Sequence, residues 1–151
     1  MKRFAFVATA GLFALNAAKA QSVDFSYSAV TTGSWSYAPS VSGSEARFTD
    51  SAGAVRAAIT CARVTRQVSL SRSSLAPAAT MSIWTSSASR ELASRFDQAA
   101  LRVTTQTTAY DPLLDALAFS RGRFAILMPG SPALVLPSGP EPAHVFEDCR
   151  A

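Results

Sequence analysis

His144 is the only histidine of the 151-residue chain, and it stands among carboxylates, with Glu141 before it and Glu147 and Asp148 after it. On a helix, the spacing of Glu141, His144 and Asp148 puts all three on one face. An imidazole beside carboxylates is the material of general acid–base catalysis. It is also the ordinary composition of a solvated helix surface. His144 and Asp148 offer a metal two ligands from successive turns, but a stable site needs more, and the sequence sets no others beside them. Glu147 and Asp148 are neighbours, so on a helix they diverge and do not form the opposed carboxylate pair that glycoside hydrolysis uses. No Gly-x-Ser-x-Gly elbow and no Gly-rich phosphate loop occurs. Ser131 and Ser138 therefore read as turn residues, and Gly122 and Gly130 as stops and turns. The sequence calls for no cofactor and no enzyme.

Binding is the alternative use of the surface. Trp35, Tyr37 and Trp84 lie among serines and threonines; exposed, such rings stack on sugars or fill a partner's pocket, and buried they are core. Arg121 and Arg123 flank Gly122 just after a predicted helix, where cations complement the helix dipole or form a fork for a carboxylate.

Cys61 and Cys149 are the only cysteines. Val55, Ala57, Ile59 and Cys61 alternate with Arg56, Ala58 and Thr60, which puts Cys61 on the apolar face of a strand. Pro142, Val145, Phe146 and Cys149 recur at helical spacing and form one stripe. Both sulfurs are predicted on buried faces, and in an oxidising compartment they pair as a structural disulfide. A redox-active pair would sit as Cys-x-x-Cys.

The compartment is read from the N-terminus. Met1-Lys2-Arg3, the apolar run Phe4 to Leu15, and Ala18-Lys19-Ala20 before Gln21 have the layout of a secretory signal peptide. The run is shorter than the roughly 18–20 residues of a membrane span, so residues 21–151 are expected as one exported domain without one. Without Lys2, Arg3 and Lys19, the 14 basic residues fall to 11, all arginine, against 10 acidic ones. That near-neutral balance lacks the concentrated basic footprint of a nucleic-acid binder. Hydrophobic residues make up 48% and charged ones 16%, which excludes a disordered chain.

The elements that must position these residues are short. Strands are predicted at Val23–Ala29, Trp35–Tyr37, Ala46–Phe48, Arg56–Cys61, Val64–Leu70, Met81–Thr85 and Leu101–Thr108, with a loop over Ala38–Gly43. Glu91–Phe96 fits either a strand or a short helix. Asp111 caps a helix that has Pro112 at its first position and Leu113, Leu114, Leu117 and Ala118 on its apolar face, with Gly122 as its stop. Arg123–Leu127 and Ala133–Leu136 form a hairpin, and Gly139-Pro140 opens the last helix. The expected fold is α+β, mainly an antiparallel β sandwich or barrel with two short helices in the C-terminal third.

The stretch from Asp111 to Ile126, Asp-Pro-Leu-Leu-Asp-Ala-Leu-Ala-Phe-Ser-Arg-Gly-Arg-Phe-Ala-Ile, and the ending Glu147-Asp148-Cys149-Arg150 resemble the close of small exported bacterial proteins without an assigned activity. The order helix, strand, strand, helix, terminal Cys also resembles the invasion-associated locus B family of periplasmic proteins, over the C-terminal third alone. The resemblance implies a periplasmic or secreted protein and no catalytic residues. The expectation is a non-enzymatic protein with an interaction or envelope role, with another envelope protein as the partner class. Its rivals are a saccharide or small-ligand module built on Trp35, Tyr37 and Trp84, and a hydrolase whose site is scattered in sequence.

Overall fold

The computed structural model describes residues 23–151; the stretch read as a signal peptide lies outside them. Four strands, β1 (Gly33–Ser40), β2 (Gly43–Asp50), β3 (Val55–Ala62) and β4 (Gln67–Ser73), form an antiparallel meander. β5 (Thr80–Trp84) and β6 (Ser89–Ala93) begin a second sheet, and β7 (Arg95–Asp97) and β8 (Arg102–Thr108) return to the first. Helix α1 (Pro112–Ala118) leads to the hairpin β9 (Arg123–Leu127) and β10 (Leu134–Pro137), and helix α2 (Pro140–Arg150) follows. The first sheet runs β1-β2-β3-β4-β8-β7 and the second β10-β9-β5-β6, every pairing antiparallel. Both sheets are open.

One core fills the space between them. Phe48, Ile59 and Leu70 come from the first sheet, Ile83, Phe124 and Ile126 from the second, and Leu114, Val145 and Phe146 from the helices. The strands of the second sheet are short, so it cannot cover the whole inner face of the first. The two helices supply the missing apolar surface, and α2 packs chiefly on β2 and β3.

Helix α1 starts as the capping signals dictate: the Asp111 carboxylate accepts from the Leu113 amide at 2.8 Å, and Pro112 follows. Helix α2 buries Pro142, Val145, Phe146 and Cys149, the predicted stripe.

Five local expectations are corrected. Val23–Ala29 is not a strand: the Asp24 carboxylate accepts from the Ser26 amide at 2.9 Å, Ser28 closes back onto the Phe25 carbonyl, and Tyr27 is fully exposed. Local side-chain turn chemistry wins there over alternation. The serine-rich Ala38–Gly43 is no loop but the end of β1, a two-residue turn at Val41-Ser42 and the start of β2. Pro39 is tolerated because β1 is an edge strand. Val64 lies in the exposed turn before β4. Glu91–Phe96 is neither one strand nor a helix; it splits into β6 and β7, with Ser94 carrying the chain between sheets. Gly122, at φ +72°, shapes the turn into β9 rather than stopping α1, which ends at Ala118.

Candidate functional site

Cys61 and Cys149 are bonded, with Cα atoms 5.4 Å apart and a separation of 88 positions in sequence. Cys61 follows Ala57 and Ile59 on the inner face of β3, and Cys149 ends the buried stripe of α2. The neighbouring strand comes in close: a Cβ on Gly43 would lie 1.9 Å from the Cys61 carbonyl oxygen, so only glycine fits. The same helix end is held by charge. Arg66 Nη1 donates to the Arg150 carbonyl at 2.6 Å, a cation on exposed C-terminal carbonyls. Arg150 itself donates from Nε to the Ala109 carbonyl at 2.8 Å and meets the Asp115 carboxylate at 2.8 Å. The tail is therefore stapled and clamped.

His144 lies one helical face away. Its ring stacks on Tyr37 of β1, centroids 4.2 Å apart and planes 8° from parallel, and it stays exposed. Tyr37 donates its hydroxyl to Asp148 at 2.6 Å, and His144 Nε2 is 3.8 Å from the same carboxylate. Burial pushes the Asp148 carboxyl up, but the hydrogen bond from Tyr37, the nearby Ser44 hydroxyl and the His144 and Arg63 charges outweigh it and leave it below its ordinary value. The Tyr37 phenol is pushed up, first by its bond to Asp148 and then by burial. Each group of this trio is engaged in fixing α2 against the edge of β1. Among the described residues no group of three or more His, Cys, Asp or Glu side chains is placed to share a metal ion.

The other two aromatics are packed. Trp35 is half-buried on β1, edge-on to Phe48 at 5.4 Å and near-parallel to Phe124 at 6.1 Å. Its indole donates to the Pro137 carbonyl at 2.8 Å. Trp84 is buried on the outer face of the second sheet, where Phe25 covers it edge-to-face at 5.5 Å. The N-terminal segment that fails to form a strand thus serves as a cover for Trp84. Arg121 and Arg123 do not form a fork at a helix end: both lie beyond the last turn of α1, and Arg123 donates to the Ser28 carbonyl, pinning that cover.

A group absent from the sequence reading lies at the opposite end of the inner face from the disulfide. Arg72 pairs in register with Ala57 and Val103, both core residues, so a guanidinium continues the apolar row of Val68 and Leu70. It is 6% exposed and donates to the carbonyls of Ile126 at 2.8 Å and Pro132 at 2.6 Å. Arg56 and Arg102 line the same cleft of about 590 Å³. The signal was present in β4: an arginine in the inward phase of Val68-x-Leu70-x-Arg72.

No protein-family model, no curated protein and no solved structure matches the chain.

Proposed function

We propose that this chain is an exported, non-enzymatic protein, periplasmic or secreted, that works through binding and is held rigid by one disulfide. The observation that carries the reading is the Cys61–Cys149 bond, which joins the middle of the first sheet to the last helix. Such structural bonds persist in oxidising compartments, and the N-terminal sequence has the layout that sends a chain there. The resemblance of the Asp111–Arg150 stretch to small exported proteins and to the invasion-associated locus B family points the same way. We read the two facing open sheets as a sandwich with its ends closed by different means, helix α2 at one and the Arg72 carbonyl ties at the other.

The absence of catalysis rests on the use of the reactive groups. The one histidine is flat on Tyr37, and the carboxylate beside it accepts from the phenol. An aromatic sugar platform has less support, because Trp84 is covered and Trp35 is packed on two phenylalanine rings.

Expression of the full chain in a Gram-negative host, with fractionation and intact-mass measurement, tests the reading. The expected product starts at Gln21, lies outside the cytosol and has no free thiol. An uncleaved chain in the cytosol with both thiols free would refute it.

A further inference from the structure

The cleft around Arg72 holds more positive charge than the fold uses. Arg56, Arg72 and Arg102 line it, and no carboxylate does. At its margin Asp50 reaches Arg56 Nη1 at 3.4 Å, while its other oxygen is taken by the amides of Ala52 at 3.0 Å and Ala54 at 2.9 Å, and Asp97 stands opposite Arg102 in the register of β7 and β8. Two carboxylates at the margin therefore answer three guanidiniums. Arg72 has no carboxylate partner among the described residues. Burial, with the like charge of Arg56, pushes its pKa down. Its two carbonyl bonds tie β4 to the second sheet, which is a structural use, but they engage only two of the five N–H donors a guanidinium carries. Arg56 and Arg102 reach the rim of the same cleft, Arg102 from the face of the first sheet opposite the one that carries Arg72. Among the described residues the Arg102 side chain donates only to Ser71 Oγ, at 3.2 Å.

The other wall is apolar and strained. Leu75 is 89% exposed and Leu101 45% exposed, both lining the cleft. Leu101 adopts φ +49°, a left-handed conformation that a leucine takes only when its surroundings impose it. The Ser74 amide holds it there by donating to the Leu101 carbonyl at 2.9 Å. Two bare leucines beside Arg56 and Arg72, in a cavity of small-molecule size, form a site with two chemically distinct halves.

We infer that this cleft binds a small amphiphilic organic anion, its ionised head taken by Arg56 and Arg72 and its apolar body laid against Leu75 and Leu101. Guanidiniums suit planar oxyanion heads because their N–H groups form a fork. The inference goes beyond export and the disulfide, and it stands whichever compartment the protein occupies.

Titration of the purified protein with hexanoate, followed by amide chemical shifts and by melting temperature, tests it. Saturable shifts are expected over residues 72–76 and 100–102, with a rise in melting temperature. Acetate, which has the head alone, and hexylamine, with the opposite charge, are expected to bind at least about tenfold more weakly. Arg56→Gln, whose side chain makes few bonds within the fold, is expected to weaken hexanoate by about tenfold while melting within a few degrees of the parent, and Arg102→Gln, at the rim, to weaken it by about twofold. No saturable shift with hexanoate, equal binding of hexylamine, or unchanged affinity in both variants would overturn the assignment. Inorganic phosphate binding as tightly as hexanoate would overturn its apolar half.

Discussion

Trp35 Nε1 donates to the Pro137 carbonyl across 2.8 Å, and the two residues belong to different sheets. β1 is the edge of one sheet and β10 the edge of the other, so this bond closes the seam between them. At the opposite seam the backbone itself does the work, passing from β6 to β7 through Ser94. The indole ring also packs on Phe48 of β2 and Phe124 of β9, so bond and packing reinforce each other.

Trp35→Phe keeps a ring between Phe48 and Phe124 and removes the donor. Losing one part-buried bond and some ring volume is expected to cost about 2 kcal/mol. Urea unfolding followed by circular dichroism measures it. A change below about 0.5 kcal/mol would mean that the seam is held by packing alone.

Removing the staple is the larger perturbation. A bond that closes a loop of 88 residues restricts the unfolded chain by ~4–5 kcal/mol in the entropy model. Cys61→Ala with Cys149→Ala should lower unfolding stability by about 4 kcal/mol. Unfolding in denaturant of the oxidised parent and the double variant decides it. A loss under about 1 kcal/mol would show that Val145, Phe146 and the Arg66 clamp hold α2 unaided.

What could be read from sequence followed the range of the interactions. Asp111, Pro112 and the Pro142 to Cys149 stripe act within a few residues, so both helices and the placement of the two sulfurs were legible. Pairing of β4 with β8 is set by contacts far apart in sequence, and nothing local specifies it. Val23–Ala29 shows alternation without pairing: it offers Phe25 to Trp84, a partner no short window contains. Arg72 was missed for a different reason. Counting net charge averages over position, whereas the phase of β4 places this one charge on the core face.

Tyr37→Phe isolates the contact between β1 and α2. The variant keeps the ring that stacks on His144 and deletes the hydroxyl that Asp148 accepts. The Asp148 carboxyl is then expected to titrate higher than in the parent, because a bond to its charged form is gone. Carboxyl carbon shifts followed against pH report this directly. An unmoved titration would show that the His144 and Arg63 charges suffice to hold Asp148 down.

Acid should weaken the fold through Asp111. This residue caps α1, meets Arg90 of β6 at 2.6 Å and accepts from Thr107 of β8, so one carboxylate joins a helix and both sheets. Burial pushes its pKa up, but the bonds from Arg90, Thr107 and the Leu113 amide prevail and hold it at about 2, against an ordinary 3.8. Because the folded value lies below the unfolded one, its stabilisation is complete above about pH 4 and drains away as pH falls through 2. The difference corresponds to about 2 kcal/mol. Asp111→Asn retains a capping side chain but has no charge to lose, so it should be less stable than the parent at pH 6 and should approach it near pH 2. Unfolding free energies measured between pH 2 and pH 6 give both curves. Parallel curves would show that the Asp111 charge plays no part in acid sensitivity, and that the other carboxylates, Asp50 and Asp148 among them, carry it.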